Sequence, residues 1–174
     1  MEDPCSGGGI YSLQSPTVQD AEGQNDFGPV LINCIFRNNF SLNGPDLFSS
    51  GMIDFPVSPK IAHSIFESDY TGLNAGCTNC VIDLGNNKFQ TDPNFFFAPS
   101  YTDAPTSAGN FHIKFPSPAI NMGDNTANST SFDLDGNDRI QNGTIEIGPY
   151  EYDGPECDLY STGIVYVDST ATGL

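Results

Sequence analysis

Two segments of the chain share one pattern of apolar and polar positions, thirty residues apart. Residues 29–40 and 59–70 align without a gap, and each copy begins with a proline. The coinciding apolar pairs are Leu31 with Ile61, Ile35 with Ile65 and Phe36 with Phe66. Neither copy has helical spacing, so both predict short strands bounded by turns. Because a strand this short cannot bury its apolar side alone, the repeat predicts layers that stack as coils of a solenoid.

Each copy contains a break in its apolar alternation, at Asn33 in the first and at His63 in the second. The alternation continues on both sides of the break only if the chain bends there. Asparagine and histidine tolerate the left-handed conformation that such a bend requires better than most residues do. We therefore predict that both are corner residues between two strands of one coil. The same register predicts that Phe36 and Phe66 lie together in a shared interior.

Four further apolar segments are predicted to be short strands. In one of them His112 and Lys114 alternate with apolar residues, so His112 is expected to be an exposed strand residue and not part of a site. Together with the repeat, these segments predict an all-β chain. The segments are residues 81–84, 94–97, 111–115 and 144–152.

Composition narrows the classes of partner. Eighteen glycines and thirteen prolines in 174 residues disfavour long helices. The formal net charge of -17 would repel nucleic acid and anionic membrane surfaces, so neither is expected as a partner. No window approaches the roughly 18 apolar residues of a membrane span. Aromatic residues make up 11% of the chain, which indicates a folded protein and not a disordered acidic tail.

The five cysteines give no decisive pattern. Cys77 and Cys80 form one CxxC pair, which suits a redox dithiol, half of a zinc site or a local loop disulfide. No second close pair is present to complete a zinc site. Cys34 lies in an apolar run and is expected to be a small buried residue.

One acidic segment is a candidate metal site. Asp133, Asp135 and Asn137 place oxygen ligands close together, which suits a hard cation such as calcium. The segment lacks the glycine and the bidentate glutamate of an EF-hand loop at its sixth and twelfth positions. A structural turn is the favoured interpretation, with Arg139 pairing with a nearby carboxylate. Calcium remains the alternative, and no other cofactor is expected.

Six motifs occur in a fixed order along the chain. They are residues 7–11, 33–39, 92–95, 117–123, 133–139 and 145–151. Taken in this order, they resemble the carboxy-terminal part of right-handed parallel β-helix repeat proteins that carry a choice-of-anchor Q domain and occur at the bacterial surface and exterior. The resemblance spans residues 7–152 and is interrupted at residues 19–27 and 77–80.

The resemblance implies the fold and the domain organisation. Residues 1–152 are expected to form the last coils and cap of a right-handed parallel β-helix, a solenoid that is incomplete at its amino end. Residues 153–163 are expected to be a linker. Residues 164–174 resemble the first strand of a following, truncated domain.

The implied function is that of an extracellular or outer-surface scaffold module that contacts a glycan or a cell-surface ligand. No residue of this segment is expected to be catalytic. The alternative is the non-catalytic end of a secreted polysaccharide lyase or glycoside hydrolase. Lysis of acidic glycans is disfavoured, because only five basic residues are present. Residues 95–97, Tyr150 and Tyr152 are candidate aromatic platforms for sugars, although core packing is favoured for them.

Overall fold

A computed structural model describes residues 9–13, 28–41, 45–50, 58–73, 81–103 and 106–154. These ranges consist mainly of short strands, with one α-helical turn (α1, Tyr70–Leu73) and two 3-10 turns, so the all-β prediction is confirmed. No helix in these ranges has the length and apolar character needed to cross a membrane. The strands are β1 (Ile10–Leu13), β2 (Val30–Ile32), β3 (Ile35–Phe36), β4 (Leu47–Ser50), β5 (Lys60–Ala62), β6 (Ile65–Phe66), β7 (Ile82–Asp83), β8 (Phe95–Phe97) and β9 (Asn110–Ile113).

The thirty-residue repeat forms parallel pairs in the predicted register. Strand β2 pairs with β5, and β3 pairs with β6, with Phe36 opposite Phe66. Strand β7 continues the first of these sheets as a third layer, in which Asp83 lies opposite Ile61. A separate parallel pair joins β1 to β4. The apolar pattern did not predict a strand at β4. All the sheets are small, with two or three strands each.

Left-handed residues form the corner of every layer. Asn33 has a φ of 59° and His63 a φ of 44°, so both predicted corners are confirmed. The third layer turns through two such residues, Gly85 at 108° and Asn86 at 59°. This additional residue explains a register change, because the layer offset is 22 residues before the corner (Ile61 to Asp83) and 23 after it (Ile65 to Lys88).

Phenylalanine rings form a column inside the stack. The rings of Phe36 and Phe66 lie 4.9 Å apart with an angle of 5° between their planes, and Phe89 lies 5.7 Å beyond Phe66. These three rings are called the Phe column below. Buried Leu47, Ile61, Leu73 and Val81 pack around it. The prediction that Phe36 and Phe66 share an interior is confirmed.

The sheet formed by β3 and β6 is covered on its other face as well. Since side chains alternate along a strand, Ile35 and Ile65 point away from the Phe column. They pack against residues of the carboxy-terminal half of the chain, where Ile113, Ala119 and Ile147 are buried. A second apolar core therefore lies outside the stack and joins it to residues 113–152.

Two predicted strands pair differently from the rest. Strands β8 and β9 are antiparallel, with Phe95 opposite Ile113. Ile113 is buried, whereas Phe111 is exposed but packs edge-on against Phe95 with 5.4 Å between ring centroids. Phe115 is exposed as well, because β9 ends at Ile113 and leaves Phe115 outside the sheet.

The predicted strand at residues 144–152 is also wrong. The described chain there forms turns, with left-handed glycines at Gly143 and Gly148. Residues 145–148 are all buried, so alternate positions do not separate into an inner and an outer face. The positive φ values of 91° at Gly143 and 109° at Gly148 interrupt the extended conformation that a strand over this segment would need. Residues 155–174 lie outside the described residues, as do nearly all of the predicted linker and the whole of the predicted following strand.

Candidate functional site

The turn at residues 131–139 is organised by the side chain of Asp133. Its Oδ1 accepts hydrogen bonds from the backbone N–H groups of Asp135 (2.9 Å) and Asn137 (2.8 Å), and its Oδ2 accepts one from Glu151 (3.0 Å). Burial would raise the pKa of Asp133, but these donors outweigh burial and hold the pKa below its ordinary value. The carboxylate therefore accepts hydrogen bonds from the backbone of two segments, its own turn and the segment at Glu151.

The side chains of two candidate calcium ligands lie together, since Nδ2 of Asn137 donates to Oδ2 of Asp133 at 3.4 Å. The third, Asp135, approaches His112 instead, with 2.5 Å between Oδ2 and Nε2. Over the described ranges, no group of three or more histidine, cysteine, aspartate or glutamate residues is placed to hold a metal ion. The geometry therefore supports the turn interpretation of this segment.

Arg139 forms a buried ion pair with Glu151, as expected for a pairing with a nearby carboxylate. Its guanidinium also donates to the carbonyl of Gly148 at 2.6 Å. Burial raises the pKa of Glu151 to about 7, although the charge of Arg139 opposes the rise. The side chain of Glu151 has no exposed surface, so this pair ties the turn to the end of the described chain.

Glu146 adds a second buried carboxylate beside this pair. Its backbone N–H donates to Oε1 of Glu151 at 3.3 Å, and the residue is 1% exposed. Among the described groups, Oε2 of Glu146 and Oε2 of Glu151 have no hydrogen-bond partner. Nη2 of Arg139 also donates to the backbone carbonyl of Glu146 at 3.5 Å, so two buried glutamates lie beside one arginine, and the carboxylate of Glu151 pairs with it. The sequence marks this region through the motif at residues 145–151. The alternation of apolar residues there predicts a strand over residues 144–152, however, and not a group of buried charged residues.

An open cleft lies between the β8–β9 pair and residues 151–154, and we call it the terminal cleft. Its volume is about 580 Å³. The ring of Phe96 is 59% exposed, and Nζ of Lys114 lies 5.9 Å from its centroid. The main lining residues are Phe96, His112, Lys114, Phe115, Glu151, Tyr152 and Asp153.

His112 lies at the rim of the terminal cleft in a network that the sequence did not indicate. Its ring stacks on Tyr150 with 4.0 Å between centroids, and Nδ1 lies 2.6 Å from Oδ1 of Asn110. With Asp135 on its other nitrogen, the ring is fixed on both sides. His112, predicted to be an exposed strand residue, is therefore partly covered, and its contacts hold this wall of the cleft in place.

A second cavity, of about 710 Å³, is lined by residues 32–37 of the β2–β3 segment and by residues 127–130 and 132–134. We call it the edge groove. Its lining is mainly apolar and includes Phe132, which is 59% exposed. Arg37 and Arg139 are the cations at its wall.

The remaining candidates have structural roles. Nδ1 of His63 lies 3.1 Å from the carbonyl of Met122, and Nε2 lies 2.9 Å from the amide nitrogen of Asn86, so both ring nitrogens serve the corner. Cys34 is a free thiol that donates to the carbonyl of Ile32 at 3.3 Å. Burial raises the pKa of Cys34, which disfavours the reactive thiolate. Cys5, Cys77, Cys80 and Cys157 lie outside the described residues.

Comparison of the chain with models of protein families, with curated proteins and with solved structures finds no match in any of the three.

Proposed function

We propose that this chain is the carboxy-terminal part of a right-handed parallel β-helix of the choice-of-anchor Q type, and that it serves as a rigid scaffold on a bacterial outer surface or in the exterior. In this role it presents loops and clefts to glycans and performs no catalysis in this segment. The observation that carries the proposal is the parallel register of β2 with β5 and of β3 with β6, thirty residues apart.

Contacts between layers support a stiff scaffold. Oγ of Ser64 accepts a hydrogen bond from the backbone of Cys34 at 3.1 Å, and the backbone of Ser64 donates to Oδ1 of Asn87 at 3.0 Å. Outside the stack, Arg37 pairs with Glu67 of the next layer at 2.8 Å. Each layer thus satisfies polar groups of its neighbour, in addition to the apolar contacts of the Phe column.

A carbohydrate-active enzyme is the second candidate, and one observation favours it. Glu151 lines the terminal cleft and has a pKa raised to about 7 by burial, which suits a general acid. Its Oε1 is held by Arg139, however, and its side chain has no exposed surface. A scaffold with a structural ion pair accounts for these contacts better.

The test is to run the purified chain through native gels that contain single polysaccharides, and to assay the same polysaccharides for new reducing ends and unsaturated products. The expected result is retarded migration in at least one gel and no new chain ends. Depolymerisation would refute the scaffold role in favour of the enzyme. Unretarded migration in every gel would refute the glycan contact.

A further inference from the structure

The terminal cleft combines flat apolar surfaces with hydrogen-bonding groups. The rings of Phe96 and Phe115 are exposed at its lining, and Tyr152 adds a third, partly covered ring. Aromatic rings grouped around one cleft provide the apolar lining that is typical of ligand sites. The volume of about 580 Å³ lies within the roughly 300–1,000 Å³ of small-molecule sites.

The polar groups of the cleft are nearly balanced in charge. Among the residues that line the cleft, Lys114 carries a positive charge and Asp153 has an exposed carboxylate. The carboxylate of Glu151 is already paired with Arg139. This balance contrasts with the formal net charge of -17 for the chain. A polyanion would be repelled by the chain as a whole, and a polycation would meet the like charge of Lys114 in the cleft. The cleft therefore favours an uncharged ligand.

The walls of the cleft are held in place before any ligand arrives. His112 is fixed between Asp135 and Asn110 and stacks on Tyr150, while Lys114 donates its backbone N–H to the carbonyl of Asn94 at 3.0 Å. Groups that are already ordered lose little conformational freedom on binding, which lowers the cost of association.

We propose that the terminal cleft binds an uncharged saccharide, with the rings of Phe96 and Phe115 as apolar platforms and with Lys114 and Asp153 as hydrogen-bonding groups. A saccharide suits these walls because it offers apolar C–H faces and hydroxyl groups on the same ring. The inference rests on the proposed contact with glycans and assigns it to one place. It differs from that proposal in naming the site and the charge class of the ligand.

The test is a calorimetric titration of the 174-residue chain with hexasaccharides. Cellohexaose, mannohexaose, maltohexaose and N-acetylated chitohexaose are the uncharged probes, and hexagalacturonate is the charged comparison. The expected result is saturable binding of at least one uncharged probe. Phe96→Ala should weaken that binding by about tenfold, and Lys114→Met by about threefold.

Phe132→Ala is the matched control, because Phe132 has the same 59% exposure as Phe96 but lines the edge groove. It should change the affinity by less than about twofold. Circular dichroism checks that the variants are folded. If Phe96→Ala does not fold, Lys114→Met still tests the cleft.

Four results would overturn the inference. Loss of binding in Phe132→Ala alone would place the saccharide in the edge groove. Unchanged affinity in both Phe96→Ala and Lys114→Met would exclude the terminal cleft while leaving glycan contact intact. Binding of hexagalacturonate alone would exclude an uncharged ligand. If no hexasaccharide binds and no polysaccharide retards migration, the proposed glycan contact fails together with the site.

Discussion

Replacing Phe66 with alanine should remove the central ring of the Phe column and destabilise the whole stack. Phe66 has 0% exposure and contacts a ring on each side, Phe36 at 4.9 Å and Phe89 at 5.7 Å. Truncation of a buried phenylalanine costs about 3–5 kcal/mol, and each ring pair adds about 0.5–1.5 kcal/mol beyond the buried area. The expected loss is therefore at the upper end, about 5 kcal/mol.

Urea unfolding followed by far-ultraviolet circular dichroism measures this loss. Phe66→Leu keeps an apolar side chain without the ring stacking and should lose about 1–2 kcal/mol. Phe132→Ala makes the same substitution at an exposed ring and should lose less than about 1 kcal/mol. A loss below about 2 kcal/mol for Phe66→Ala, or an equal loss for Phe132→Ala, would refute the shared interior and the stacking argument built on it.

Three further predictions concern the buried carboxylates and the acidic turn. Burial raises the pKa of Glu151 from 4.5 to about 7, so the folded chain binds this proton more tightly than the unfolded chain does. The protonated side chain therefore stabilises the fold fully below pH 4.5, and this stabilisation is lost as the pH rises through 7. The free energy of unfolding should fall by about 2 kcal/mol between pH 5 and pH 8. Glu151→Gln should abolish most of that fall. An equal fall in the variant would exclude Glu151 as its source. Asp133→Ala should cost about 2 kcal/mol in urea unfolding, since three backbone N–H groups lose their acceptor. A chelator or added calcium should leave the melting temperature of the unmodified chain unchanged, and a clear shift would restore the calcium interpretation.

The stacked layers could be predicted because their signal is local and repeated. Two copies with the same spacing specify the partner of each strand, and a left-handed corner favours a few residue types, so Asn33 and His63 stood out. The shorter third layer was harder to place, because its offset of 22 to 23 residues removes the repeat that identifies the first two.

The candidate site could not be predicted in the same way, because its contacts join distant residues. The antiparallel pairing of β8 with β9 and the stacking of His112 on Tyr150 depend on how residues 95–152 fold back on themselves. The alternation in residues 145–151 indicated a strand, yet Glu146 and Glu151 are both buried beside Arg139. Apolar periodicity contains no information about a carboxylate whose burial is compensated by a cation several residues away.

The two-sided burial of the β3–β6 sheet limits how such a protein can grow. A duplicated thirty-residue unit would bring a new phenylalanine for the inside, but it would also bring a new isoleucine for the outside, equivalent to Ile35 and Ile65. The isoleucines of these two layers are covered by Ile113, Ala119 and Ile147. An added layer would leave its own isoleucine in water unless the covering segment were extended as well, so growth of the stack is coupled to growth of residues 113–152.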